Sequence, residues 1–217
     1  MFIGHFALGF AAKRATPRTS LATLFAAAQF ADLLWPVLVA IGVEQVRINP
    51  GDTAFTPLDF VSYPYSHSLL MLAVWGVAFA AVAVRLKPDT TYVRTGIILA
   101  LLVVSHWLLD WITHRPDMPL YPGGPKFGLG LWNSVPATLT IELALFAAGV
   151  WLYAAGTRAR DGIGRWGFAG FVAFVLVAYA SNVFGPPPPS VAALGIFAIA
   201  GAIVLLVWSW WFDRHRS

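Results

Sequence analysis

The chain has 217 residues, 59% of them hydrophobic and 11% charged, with a formal net charge of +4 and a mean hydropathy of +0.72. Soluble domains carry about 25% charged residues, so a water-soluble globular fold is excluded. The absence of cysteine removes disulfides and thiolate chemistry. The basic residues are spread over connections instead of forming a patch suited to nucleic acid, which is not an expected partner.

The opening residues Met1–Ala12 (MFIGHFALGFAA) are apolar and precede a basic cluster. A cleaved signal peptide places its positive residues first, so none is expected. Twelve residues are too few to span, and a short re-entrant or surface-lying helix is the expected form. Re-entrant backbone has to be covered by protein.

An apolar stretch of ~20 residues can cross the bilayer core. Six follow in order: Ser20–Val43, Ser66–Val84, Thr95–Thr113, Val135–Gly156, Trp166–Phe184 and Val191–Phe212. Together they use up the chain. The expectation is therefore an all-α polytopic membrane protein, a single integral membrane domain over residues 1–217 with about six transmembrane helices and a short N-terminal helix.

Lysine and arginine placement sets orientation. Lys13, Arg14, Arg18, Arg85, Lys87, Arg94, Arg158, Arg160, Arg165, Arg214 and Arg216 fall on one side and are 11 of the 14 basic residues. Arg47, Arg115 and Lys126 fall on the other. Both termini are expected to be cytoplasmic, in a bacterial inner membrane.

Against these spans, the polar residues gather. His106, Asp110 and His114 in VVSHWLLDWITH recur every four residues, so they share one face of a helix. The stripe runs from mid-bilayer towards the outer face. Asp32 lies near mid-bilayer in the first span, and His67 (YPYSHSLL) opens the second at the outer face. Glu142 lies about two turns into the fourth span. His5 reaches a similar depth if the opening helix folds inward. The fifth and sixth spans carry almost no ionisable groups before Asp213. The chain thus divides into polar-lined residues 1–145 and apolar supporting residues 146–217.

Isolated charges in a bilayer are costly, so these groups must pair, neutralise or bind a cation. Imidazole and carboxylate are ligands for zinc and similar divalent metals. His67, His106 and Asp110 are the first candidate ligands, with Asp32, His5 and His114 as further ligands or their supports. Each also has a structural reading. His67 can cap the second span, Asp110 can pair with Arg115, and Asp32 can satisfy backbone freed by Pro36. His5 can be a packed residue and Glu142 a protonated, hydrogen-bonded structural acid. His215, among Asp213, Arg214 and Arg216, reads as a solvated tail residue.

The outer connection His114–Val135 is rich in Pro, Gly and aromatics and suits a structured lid. Its Arg115, Lys126 and Asn133 suit either an anionic group or lipid headgroups. The Tyr63 and Tyr65 rings read as interface anchors. No phosphate-binding glycine loop, dinucleotide fingerprint or serine-nucleophile elbow is present.

At GHFALG around His5, QFADLLWP around Asp32, PYSHSLL around His67 and SHWLLD around His106 and Asp110, the chain resembles a family of bacterial inner-membrane proteins described as membrane-bound metal-dependent hydrolases. The resemblance covers roughly residues 1–145. It rests on an early His, an acidic motif, a THS-like motif and HxxxD; the last also resembles part of zinc-dependent phospholipase C and nuclease metal sites. Leu33 and Leu34 stand where that family often has a second aspartate, and Tyr63, Pro64 and Tyr65 replace a basic pair.

The resemblance implies a metal site, and with the residues it gives a hydrolase of lipid-borne or amphipathic esters, phosphoesters included. Its expected partners are membrane lipids, and its catalytic carboxylates are Asp110 and Glu142, one acting as general base beside a divalent metal, zinc first. A proton- or cation-coupled transporter or relay is the alternative, since acid and histidine chains in membranes carry protons. A non-catalytic scaffold stapled by metal is a further one.

Overall fold

The computed structural model describes residues 1–86 and 92–217; Lys87, one of the residues used above for orientation, lies outside the described residues. The chain is 68% helical. Among the described residues, five helices are long and apolar enough to cross a membrane: α5 (Leu69–Leu86), α6 (Tyr92–Thr113), α7 (Val135–Gly156), α8 (Phe168–Phe184, extended backwards by a π turn at Ile163–Gly167) and α9 (Val191–Asp213).

The expected first span is not one helix. It is α2 (Leu21–Ala28) followed by α3 (Phe30–Ala40), bent by 57° at Gln29. Ser20 caps α2 by accepting from the Thr23 N–H. Pro36 lies inside α3, so the sharp bend comes seven residues before the proline that the sequence offers as its cause. The bend turns Asp32, in the first turn of α3, towards the interior polar cluster.

The opening helix α1 (Ile3–Ala12) is interior, not surface-lying. Ile3, His5, Phe6 and Phe10 are all buried, and Phe6 and Phe10 pack with Phe25, Phe146 and Phe171 from α2, α7 and α8. The Phe10 and Phe25 rings meet edge to face with centroids 4.8 Å apart. Backbone approaches backbone where α1 crosses α7, since a Cβ on Gly149 would lie 2.5 Å from the Ala7 carbonyl oxygen. Gly149→Ala is therefore expected to push α1 outward and destabilise the protein by about 1–3 kcal/mol, the usual cost of overpacking; the unfolding midpoint in detergent measures it.

Between α3 and α5, strands β1 (Gln45–Ile48) and β2 (Leu58–Ser62) pair antiparallel, followed by the short helix α4 (Pro64–His67). Between α6 and α7, β3 (Met118–Pro119) pairs with β4 (Lys126–Phe127), and a 3-10 turn at Leu131–Asn133 leads into α7. Both connections fold back over the same end of the bundle. Gly130 N–H donates to the His114 carbonyl and Leu129 N–H to that of Trp111, which ties the second connection to the end of α6.

Candidate functional site

The α6 stripe supplies the centre. His106 and Asp110 are buried on α6, and His114 is buried one turn further on, just past the helix. One oxygen of Asp110, Oδ2, faces three imidazole nitrogens: His106 Nε2 at 3.2 Å, His114 Nε2 at 3.8 Å and His67 Nε2 at 3.9 Å. Asp32 Oδ1 lies 3.6 Å from His67 Nε2 and 3.7 Å from His106 Nε2. His5 Nε2 is 3.1 Å from Asp110 Oδ1, which also meets the Met1 amine, and the His5 ring stacks on His106 with centroids 3.7 Å apart. The ligand atoms of His67, His106 and Asp110 all lie within 4.8 Å of one another, as do those of His5, Asp32 and His106.

The outer nitrogen of each of the three imidazoles around Oδ2 is engaged. His106 Nδ1 is 2.9 Å from the Ala28 carbonyl; a carbonyl only accepts, so this nitrogen carries the proton. His114 Nδ1 is 3.0 Å from Asp117 Oδ1, again an acceptor. Ser66 donates its hydroxyl to Glu44 Oε2 at 2.6 Å and so accepts from His67 Nδ1 at 2.7 Å. With Nδ1 protonated, each Nε2 keeps its lone pair for the shared point. His106 Nε2 is buried and has no hydrogen-bond partner among the described residues.

These groups could hold a divalent metal: they offer imidazole nitrogens and carboxylates, with a second layer fixing each tautomer. Glu44 and Ser66 belong to that layer, and the sequence gives no sign of the part Glu44 takes in it. Glu44 is buried and also accepts from the Tyr65 and Ser66 N–H groups, which holds α4 in place beside α6. Ser66→Ala is expected to weaken metal binding by about 10–100-fold, as loss of such partners does. Competition against a chelator of known affinity would show it.

Glu142 is not brought to the cluster. Its Oε2 accepts from the N–H groups of Phe2, Ile3 and Gly4 at 2.9, 2.9 and 3.3 Å. The carboxylate thus caps the start of α1, where it offsets unsatisfied donors and the positive end of the helix dipole. These contacts suit the structural reading of Glu142, while its Oε1 is buried without a hydrogen-bond partner among the described residues. Asp110 does not pair with Arg115, which instead meets Asp52 at 2.6 Å, Asp117 at 3.2 Å, and Asp59. Lys126 is exposed on β4. His215 pairs with Asp161 at 2.6 Å near the other end of the chain and is not part of the cluster.

The outer layer is electrostatically ordered. Burial raises the Asp117 carboxyl, but the hydrogen bonds from His114 and Tyr63 and the Arg115 charge bring it below its ordinary value. Burial pushes the Tyr63 hydroxyl well up, and Asp117 beside it adds to the rise; Tyr63 therefore stays a donor, 2.5 Å from Asp117 Oδ1. Burial also holds the His114 imidazole below its usual value, which favours the neutral ligand form. Arg115 bridges residue 117 to Asp52 and Asp59 of the first connection. Arg115→Ala leaves three carboxylates facing one another, and faster amide hydrogen exchange over residues 45–62 is the expected outcome.

A cavity of about 460 Å³ opens on one side of the cluster, lined by Asp32, His67, Asp110 and His114 at its polar end. The Asp32 side chain is 43% exposed, whereas those of Asp110 and His67 are 3% exposed, so Asp32 is the ligand candidate most open to the cavity. Its remaining walls are mostly apolar, and about half of them come from α8 and α9, including Phe174, Ala178, Ala198 and Gly201. The last two helices thus shape the site as well as support it.

No curated protein and no solved structure matches the chain. A family model described as YdjM inner membrane protein matches residues 1–185, from α1 to the end of α8 and so through every member of the His/Asp cluster. With its membrane-spanning helices and that match, the chain belongs to the YdjM inner membrane protein family.

Proposed function

We propose that this protein is a membrane-embedded metal-dependent hydrolase acting on a lipid-borne or amphipathic ester, phosphoesters included. One observation carries the proposal: three buried imidazoles, each with Nδ1 held by an outer acceptor, present Nε2 to a single oxygen of Asp110. His67, His106 and Asp110 would hold the metal, with Asp32, His5 and His114 completing or steadying it. Zinc suits this nitrogen and oxygen set. A divalent ion, if held there, would supply Lewis-acid polarisation of the ester and a more acidic water.

The chain's own groups do the rest. Asp32, open to the cavity, accepts the proton of the attacking water and returns it to the leaving oxygen as the ester bond breaks, since Glu142 is committed to α1. His114, its Nδ1 held by Asp117, lies at the cavity wall with its Nε2 lone pair turned to the same point as those of His67 and His106. The apolar walls exclude bulk water and receive the hydrocarbon part of the substrate. Basic-residue asymmetry supports cytoplasmic termini and a cluster in the outer half of the membrane.

Elemental analysis of protein purified without chelator tests the reading. Stoichiometric divalent metal is expected in wild type and little in His106→Ala, together with metal-dependent release from ester or phosphoester lipids in proteoliposomes. Folded native protein without stoichiometric metal would overturn it.

A further inference from the structure

We infer that the cavity holds one hydrocarbon chain of a membrane amphiphile along α9, with its oxygen-rich headgroup at the His/Asp cluster. The headgroup placement rests on the metal-site reading above; the chain placement rests on the cavity alone. Leu194, Phe197, Ala198, Gly201, Ala202 and Leu205 all line it. They recur every three or four residues, so they form one stripe of α9. At ~1.5 Å per residue that stripe runs for about 17 Å, close to the half of a ~30 Å hydrocarbon core that one leaflet's chain occupies.

The stripe is built as a groove. Ala198, Gly201 and Ala202 are small, and a Cβ placed on Gly201 would meet nothing within 4 Å. The groove is open to the side: Phe174 of α8 and Phe197 of α9 line it and are 44% and 70% exposed. On membrane-spanning helices such a side faces lipid, so a chain enters without leaving the hydrocarbon phase. The volume of about 460 Å³ falls within the ~300–1,000 Å³ of ordinary ligand sites.

Unpartnered polar groups mark the headgroup end. Trp35 Nε1, Trp132 Nε1 and Gln29 Oε1 are buried without hydrogen-bond partners among the described residues, and all three residues line the cavity. Each is at least nine-tenths buried, and buried polar groups ordinarily find partners. The two indole N–H groups suit acceptor oxygens of a phosphoester or carboxylic ester, and the Gln29 amide suits a hydroxyl. Trp132 also packs on His114 with ring centroids 4.2 Å apart, which brings one of these donors beside the cluster. The ligand class is therefore a one-chain segment of an ester or phosphoester lipid with a hydroxyl near its head.

The probe is hexadecyl phosphate carrying a diazirine near its chain end, photolysed with wild-type protein in phosphatidylcholine nanodiscs and mapped by peptide mass spectrometry. Labelling is expected to concentrate on the α9 stripe and on Phe174 and Ala178. Gly201→Phe, which fills open space, should lower α9 labelling by about tenfold, the low end of what small steric changes in apolar pockets cause. Ile203→Phe, on the exposed face of the same helix, should leave it unchanged. Equal labelling of the exposed face of α5, insensitive to Gly201→Phe, would overturn the inference by placing the chain in bulk lipid. Metal content measured on the same preparations judges the metal site independently of where the label falls.

Discussion

Asp110→Ala is expected to abolish stoichiometric metal binding and, in metal-free protein, to lower stability by about 3–5 kcal/mol, the cost of removing one partner of a buried charged set. The size of the effect follows from position. One oxygen of Asp110 faces the Nε2 atoms of His67, His106 and His114, while the other meets His5 and the Met1 amine. Loss of the carboxylate removes a proposed metal ligand and leaves the amine without its counter-charge. Asp110→Asn separates the two effects. An amide keeps the shape and can donate to an imidazole lone pair, so the variant should retain most of its fold while binding no metal. Elemental analysis and denaturant unfolding in detergent read the two quantities on one preparation. Full metal content in Asp110→Asn would remove Asp110 from the ligand set.

Much of this centre is legible in the sequence because helical periodicity is local. His106, Asp110 and His114 fall on one face by spacing alone, and the apolar lengths of α5 to α9 follow from composition. What escapes is set by tertiary packing. Glu44 stands in a polar connection, and nothing local says that its carboxylate reaches Ser66 behind His67. The bend at Gln29 has no proline or glycine to announce it, whereas Pro36 advertises a kink that the chain does not use for its sharp turn. Glu142 reads as a buried acid at catalytic depth, yet its register on α7 aims it at the first N–H groups of α1. The cavity wall on α8 and α9 is hardest to see. Hydropathy records that Ala198, Gly201 and Ala202 are apolar, not that their small size leaves room beside larger neighbours.

Asp213→Ala should be the most destabilising change away from the cluster, again about 3–5 kcal/mol. Sequence places Asp213 at the end of the last span, where a solvated acid would be expected. Instead it is buried and joins four segments: Lys13 Nζ donates to Oδ2 at 2.6 Å, the Leu21 N–H donates to the same oxygen at 2.9 Å, and the Tyr153 hydroxyl donates to Oδ1 at 2.8 Å. Lys13 follows α1, Leu21 opens α2 and Tyr153 belongs to α7, so one carboxylate anchors the far ends of the helices that hold His5. Truncation strands a partly buried ammonium, a helix-start N–H and a buried hydroxyl together, and an unpaired buried donor costs more than a made bond contributes. Lys13→Met combined with Asp213→Leu removes both charges and should recover most of the loss, because apolar replacement of a buried pair is often close to neutral. A double-mutant cycle on unfolding free energy measures that coupling. Because α1 is held at its other end by Glu142, Asp213→Ala should also lower metal occupancy without touching a ligand, whereas Lys13→Met with Asp213→Leu should restore it.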